Sequence, residues 1–344
     1  MNQPFSLSRV DENLASRVLA TLGEVEKVLL ESTKSDDPFI SEMSGHLAQA
    51  GGKRFRPLLV AFASEFGKPT KQSIEAAVVV ELTHLATLYH DDVMDEAPRR
   101  RGTESANARW DNTLAILTGD FLFAQASQIL AGLGPEAVML QAVTFERLVS
   151  GQIHETVGPQ NGTDPVEHHI RVLADKTGSL IATSARFGGM FAGLPAAALD
   201  ALSAFGEAVG ISFQIADDIL DIASEAQVSG KTPGTDLREG VITLPMLIVK
   251  SENRPEDAEL IDLLGRPLPD DKDHARALEL LRSHPAMKKA KAEADRYASL
   301  AISQLEVISK LAAQHPDVFA DAPTVASVVA ALRDVCESTA NRAV

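Results

Sequence analysis

Glu81-Leu-Thr-His-Leu-Ala-Thr-Leu-Tyr-His-Asp91-Asp-Val-Met-Asp95 decides how this chain of 344 residues is read. No glycine or proline interrupts Ser73 to Asp91, and Ala76, Val80, Leu82, Leu85, Ala86 and Leu88 suit a buried helix. The acids therefore fall at a helix C-terminus. At 3.6 residues per turn, Asp91 and Asp95 project from one face while Asp92 is rotated by about 100°. Like charges at that spacing cost roughly 0.2–0.5 kcal/mol, and the negative end of the helix dipole adds to the penalty. A cation is needed to offset them, and Arg99-Arg-Arg-Gly102 follows at once.

The same spacing recurs in Gln214-Ile-Ala-Asp217-Asp-Ile-Leu-Asp221, again at the end of an apolar run. One Asp-Asp-x-x-Asp reads equally well as solvated surface. Two copies closing apolar helices, the first followed by arginines, read as a site. Hard carboxylate oxygens on two facing helices can hold Mg²⁺, which keeps several waters and takes phosphate oxygens as its remaining ligands. The implied ligand is a diphosphate. Upstream, Gly51-Gly-Lys53-Arg-Phe-Arg56-Pro57 places two glycines where backbone can approach a ligand, with Lys53 and Arg56 three apart at a helix start. That is either a second anion site, aided by the helix N-terminus, or the basic beginning of a surface helix.

Composition narrows the classes. A formal net charge of −16 argues against nucleic acid and against an anionic membrane surface, so an anionic substrate must be met by local cations and metal. The single cysteine, Cys336, excludes a disulfide framework and fits a reducing cytoplasm. No basic region precedes an apolar core near the N-terminus, and Phe187 to Leu199, taken as the nearest approach to a membrane span, is too short to cross a bilayer. No transmembrane segment and a soluble protein are the expectations.

No segment alternates apolar and polar residues with β-branched enrichment, so the fold class is all-α. After a loose tail of about 1–12, a helix is expected from about Glu12 to Leu30. Asp111 or Asn112 caps another running to about Leu130, Gly134-Pro135 punctuates the next to about Val157, and Asp164-Pro165 opens a further one. No linker separates the two acid clusters, so the expectation is one domain over 1–344. Beyond Pro255 the sequence reads as amphipathic helix that serves packing.

With both acid clusters, the Gly51 motif and Asp175-Lys176-Thr177-Gly178 in view, the chain resembles the trans-polyprenyl diphosphate synthases over about Gly51 to Pro245. The resemblance implies the isoprenoid synthase fold, a bundle of many helices around a central cavity, and a homodimer paired through helices. It implies that Lys53, Arg56, His84 and Arg101 hold isopentenyl diphosphate. It assigns Lys176, Thr177 and Gln214, with Lys231 from a loop running to Gly240, to the allylic diphosphate. Asp91, Asp92, Asp95, Asp217, Asp218 and Asp221 become the Mg²⁺ acids, with Arg100 beside them on the allylic diphosphate. One departure is Val241, where many family members carry lysine.

The reaction so implied is condensation of isopentenyl diphosphate with an allylic diphosphate, giving a trans polyprenyl diphosphate. No Walker motif and no evident water-activating base favour phosphoryl transfer or hydrolysis. Three rivals stand beside it: a terpene cyclase, which has no use for a second anion site; a noncatalytic partner subunit; and a short-chain farnesyl or geranylgeranyl synthase. Against the last, a tail growing back along the Asp91 helix would pass Thr87, Ala86, Thr83 and Val80, and Ser127 is small on the helix after Gly119-Asp120. None is bulky. The rise back to about Glu75 is ~24 Å, room for roughly five isoprene units, so a long product is expected.

Overall fold

In the computed structural model, residues 10–160, 162–224 and 233–341 are described. Lys231 lies outside them. The helices are α1 (Glu12–Ser32), α2 (Pro38–Gln49), α3 (Phe55–Ser64), α4 (Lys71–Met94), α5 (Ala106–Arg109), α6 (Asn112–Leu133), α7 (Pro135–Val157), α8 (Pro165–Leu173) and α9 (Ser179–Phe191). They continue with α10 (Ala196–Ala223), α11 (Thr235–Glu239), α12 (Leu244–Glu252), α13 (Ala258–Leu263), α14 (Asp271–Ser283), α15 (Pro285–Gln314) and α16 (Ala322–Ala340). The all-α expectation holds. Among the described residues the one sheet is a two-stranded ribbon, β1 (Arg99–Arg100) with β2 (Thr103–Glu104).

Helix starts follow the cap chemistry of the sequence. The Asp11 carboxylate accepts from Leu14 N at 3.0 Å, Asp111 from Leu114 N at 2.7 Å and Asp164 from Glu167 N at 2.9 Å, each satisfying an otherwise orphaned amide in the first turn. Thr70 and Ser73 form a reciprocal capping box that opens α4.

The chain divides into two compact units, one of Met1–Phe145, Leu180–Ser203 and Leu305–Leu332, the other of Glu146–Ser179, Ala204–Gln304 and Arg333–Val344. In the first, most of α4 is buried. Ala76, Val78, Val80, Leu82, Leu85, Ala86 and Tyr89 are all at 0% exposure, the pattern of a helix surrounded by others rather than of an amphipathic surface helix. It packs against α1, α3 and α6. The α4–α6 approach depends on Gly119: a Cβ there would stand 2.3 Å from His90 Nε2 and 3.1 Å from the Ala86 carbonyl. In the second unit, Ile211, Ile215 and Ile219 of α10 pack with Leu173, Leu244, Ala290 and Ala294.

The reading of Phe187 to Leu199 as the nearest approach to a membrane span needs correction. Asn112–Leu133 and Ala196–Ala223 are both long and apolar enough to cross a bilayer by length and composition, whereas Phe187 to Leu199 is broken by the turn between α9 and α10. Ala196–Ala223 carries Asp217, Asp218 and Asp221, and 61% of its most apolar window is buried, as in a core helix. Asn112–Leu133 is 33% buried and leaves Ile116 and Leu117 exposed.

Candidate active site

In the first unit, the open face of α4 is a stripe of partly exposed residues, His84, Thr87, Leu88 and Asp91, that continues to the exposed Asp95. Their spacing is the i, i+3, i+4, i+7 of one helix face, so the predicted alignment of Asp91 with Asp95 is present. Asp92 is turned away and fully buried. Arg100 Nε donates to its Oδ1 at 2.5 Å, and Arg100 Nη2 lies 3.7 Å from Asp95 Oδ2. Here is the cation the acids required. Burial pushes the Asp92 carboxyl up and Arg100 opposes the shift. Its second oxygen, Oδ2, is buried without a hydrogen-bond partner.

Arg100 arrives on a tight hairpin. Arg101 (φ 52°) and Gly102 (φ 83°) are its two loop residues, both left-handed as a two-residue turn of this twist requires. His46 Nε2 donates to the Glu104 carbonyl at 2.8 Å and ties the ribbon to α2. Placing a non-glycine residue in this region costs about 1–2 kcal/mol, and Arg101 is held there by what its side chain reaches. Its guanidinium donates to the carbonyls of Leu47, at 3.0 Å, and Gly51.

That contact builds the glycine loop. Gly51 (φ 89°) and Gly52 (φ 151°) wrap Arg101 so closely that a Cβ on Gly52 would stand 2.9 Å from the guanidinium carbon. Arg54, which the sequence reading passed over, is 5% exposed and holds the loop from beneath. It donates to both Glu26 oxygens at 2.8 Å, to Glu81 at 3.0 Å and to the Ala48 carbonyl at 2.8 Å. Glu81, 1% exposed, lies 3.0 Å from Arg54 and 3.6 Å from Arg101. A signal was available: a glutamate inside a buried helix needs a cation, because an unpaired buried charge is too costly. Lys53 is exposed, while Arg56 is half-buried with its Nε lacking a partner. Burial, with Arg101 nearby and Glu81 opposing, pulls the Arg56 guanidinium down to about 10. Burial, with Arg56, Arg101, Arg100 and Arg54 around it, holds the His84 imidazole neutral, well below its ordinary pKa. The surplus of positive charge here is what a diphosphate would neutralise.

The second unit holds the other cluster. Gln214 and Asp217 are partly exposed on α10, while Asp218 is 7% exposed. Gln214 Nε2 donates to Asp218 Oδ1 at 3.3 Å, and His169 Nε2 lies 3.6 Å from Oδ2, too far for a hydrogen bond; both of those last atoms are buried without one. Burial pushes the Asp218 carboxyl up, His169 opposing. Asp221 is engaged with backbone: its carboxylate accepts from Thr235 N and Asp236 N, each at 3.2 Å, and its carbonyl from Gly234 N at 2.8 Å. Asp236, another residue the sequence reading gave no role, joins the cluster. Burial, with Asp221, Asp218, Glu239 and Asp217 about it, pushes its carboxyl up to about 7.

Lys176 and Thr177 lie in a single π-helical turn, Ala174–Gly178. Gly151 lets α7 approach it, since a Cβ there would stand 2.6 Å from Lys176 N. Lys176 pairs with Glu155, and Thr177 Oγ1 donates to Gln214 Oε1 at 3.5 Å. Arg147 fixes the turn, bonding Asp175 and Glu207 at 2.7 Å each. The first unit thus gathers Lys53, Arg56, His84, Arg100, Arg101 and the first acids, and the second gathers Lys176, Thr177, Gln214 and the second acids.

No three histidine, cysteine or acidic side chains among the described residues form a ready-made metal cage. The acids nonetheless fit a hard divalent cation that brings waters and phosphate oxygens with it: the donors are carboxylates, and Asp218 keeps an unpartnered buried oxygen.

Residues 37–281 match the family described as polyprenyl synthetase. The chain belongs to this family. It is accordingly an enzyme that transfers prenyl groups. The nonaprenyl diphosphate synthase of Mycobacterium tuberculosis is 47% identical over 300 residues, 87% of this chain and 90% of that one. Among solved structures, the geranylgeranyl pyrophosphate synthase of Corynebacterium glutamicum, complexed with calcium and isoprenyl diphosphate, superposes with a TM-score of 0.83 at 46% identity, covering 96% and 98% of the two chains. A polyprenyl synthase of Caulobacter crescentus, complexed with the same ligands, gives a TM-score of 0.85 at 28% identity over 100% of both. The isoprenoid synthase fold expected for the enzyme is the fold of these neighbours.

Proposed function

We propose that the enzyme condenses isopentenyl diphosphate with an allylic diphosphate in the presence of Mg²⁺, giving a long-chain trans polyprenyl diphosphate. The observation that carries this reading is the pairing of opposite charges along one helix of the first unit. His84 at one end of the open stripe of α4 sits among four arginines, while Asp91 and Asp95 close the other end. One diphosphate is met by side-chain cations directly and the other through metal-binding acids. A cyclase would need only the second.

Divalent cations held by Asp91 and Asp95 in the first unit, and by Asp217 in the second, would supply positive charge to a diphosphate. Asp92 and Asp221 act beside these ligands, the first as the partner of Arg100 and the second as the clamp on Thr235 and Asp236. Lys176, Thr177 and Gln214 receive the allylic diphosphate, a reading supported by the Thr177–Gln214 bond, and Lys176 exchanges Glu155 for it. The allylic C–O bond breaks with its electron pair leaving on diphosphate. Lys53 and Arg56 anchor isopentenyl diphosphate, with Arg101 keeping their loop in place and neutral His84 available to hydrogen-bond. The π electrons of its double bond form the new C–C bond, and a proton then passes to the released diphosphate. No side-chain nucleophile is required.

A long product is supported by the nonaprenyl relative at 47% identity. The family match draws on segments of both compact units, which supports reading 1–344 as one polyprenyl synthase domain. Ile116 and Leu117 on α6, and Val138, Met139 and Val143 on α7, are exposed and support a homodimer, since large apolar side chains left in water are what another chain would cover. The lone buried Cys336 suits the cytoplasm. Incubating the purified chain with Mg²⁺, isopentenyl diphosphate and farnesyl diphosphate should give elongated prenyl diphosphates. Cyclised hydrocarbon, or no turnover, would overturn the reading.

A further inference from the structure

Helix α8 and the π-helical turn that follows it run antiparallel to α10, and two polar contacts mark the register. His169 Nε2 faces Asp218 Oδ2 at 3.6 Å, and Thr177 Oγ1 donates to Gln214 Oε1 at 3.5 Å. Leu173, midway between His169 and Thr177, packs in one core cluster with Ile211, Ile215 and Ile219, so apolar contact holds the two backbones together. Gln214 and Asp218, four residues apart on α10, complete the line through the bond from Nε2 to Oδ1 at 3.3 Å. Every link is longer than the roughly 2.9 Å of a well-made hydrogen bond.

The first link is not made at all. His169 Nε2 and Asp218 Oδ2 are both buried, and each lacks a hydrogen-bond partner. Orphaned atoms of this kind are rare in native interiors, because each gives up its hydration for nothing. With its proton on Nε2, the imidazole is the complement of the carboxylate oxygen it faces. The gap is too narrow for a bridging water, since two bonds through one water hold their ends about 4.5 Å apart. An approach of about 0.7 Å brings the pair from 3.6 Å to bonding distance.

What this pair controls follows from the amide beyond it. An ionised carboxylate only accepts, so Asp218 obliges Gln214 to turn its NH₂ toward the acid and its oxygen toward Thr177. One N–H of that amide is spent on Asp218 and the second is left over. We propose that His169 is a positioning residue for the allylic diphosphate. By holding Oδ2 it fixes Asp218, Asp218 fixes the Gln214 amide, and the spare N–H of Gln214 is presented with Lys176 and Thr177 as a donor to phosphate oxygen. On arrival of the diphosphate, the Thr177 hydroxyl exchanges its 3.5 Å contact for a charged acceptor, and the line tightens back to His169. Without the ring nitrogen, Asp218 turns freely and the amide it holds loses its direction.

This role rests on the allylic reading of Lys176, Thr177 and Gln214, and the measurements keep the two apart. His169→Phe removes the donor and keeps a ring. With farnesyl diphosphate as starter it should raise the allylic KM about fivefold, the weight of one hydrogen bond, and leave KM for isopentenyl diphosphate within about twofold. Calorimetric titration with farnesyl thiolodiphosphate, an unreactive allylic diphosphate, in the presence of Mg²⁺ should show the same loss in Kd. His169→Gln, which restores a donor, should recover most of both. In a Gln214→Ala background His169→Phe should add little, because the residue through which it acts is gone. Thermal unfolding reports whether each variant folds, and His169→Leu takes the place of His169→Phe if the latter does not. An unchanged allylic Kd in a folded variant without the donor, an equal rise for both substrates, or full additivity with Gln214→Ala overturns the inference. Absence of elongation by the wild type overturns the proposed function alone, since the calorimetric comparison needs no turnover.

Discussion

The acid clusters at the ends of α4 and α10 carry the same residues at the same spacing and are balanced in different ways. In the first, the middle acid is fully buried and neutralised by Arg100, delivered by a hairpin whose turn residue, Arg101, is itself anchored to the glycine loop. In the second, no arginine among the described residues pairs with the middle acid. His169 stands 3.6 Å away, and a fourth carboxyl, Asp236, is drawn in and pushed up to about 7. A motif defines which faces its acids occupy, but the neighbours decide which acids remain available and how much charge is left over. The first cluster is compensated by Arg100; among the described residues the second keeps a negative surplus.

The comparison can be broken most sharply at the acids on the open faces. Asp91→Ala and Asp217→Ala should each lower kcat by about 10²-fold or more, with the fold intact by circular dichroism. Near-normal turnover in both would sink the metal assignment. A smaller effect should separate the two middle acids. Arg100→Ala leaves Asp92 charged, buried and unpaired, so unfolding by urea should show a loss of about 3 kcal/mol, whereas His169→Ala should cost under about 1 kcal/mol because no close bond is lost. Equal losses would mean that the clusters are balanced alike.

The anion sites sharpen the contrast further. Lys53→Ala should raise KM for isopentenyl diphosphate about tenfold with little change for the allylic substrate, and Lys176→Ala should do the reverse, each removing one charge-assisted contact of roughly 1.5 kcal/mol. Parallel changes in both constants would remove the distinction. The smallest effect concerns His84. Its pKa is depressed in the folded state from an ordinary 6.5, so the unfolded chain takes up the proton first and stability is lost as pH falls through that value. His84→Gln should reduce that loss when urea midpoints are compared between pH 7.5 and 5.5, and an unchanged difference would remove His84 as its source.

Several features of this molecule were legible from residue order because their causes are local. The end of α4, the alignment of Asp91 with Asp95, the caps at Asp111 and Asp164 and the all-α class follow from helical period and first-turn chemistry. So did the need for a cation beside the acids, since the penalty arises within one helix. The family likeness carried the substrates, because both acid clusters and the glycine loop are continuous strings.

What only the tertiary structure decided involves partners far apart in the chain. Arg54 reaches back to Glu26 and forward to Glu81, and Gln141 reaches Thr83; no periodicity within a helix announces such pairs. Small residues on α4 permit either an open channel or a neighbouring helix pressed close, and at Ala86 it is Gly119 of α6 that presses close. Sequence alone determined which residues share a helix face and what charge that face carries, because rise and turn are properties of the backbone. Which of them are neutralised, buried or left for a ligand was decided by packing, because burial and ion pairing depend on what the rest of the chain brings alongside.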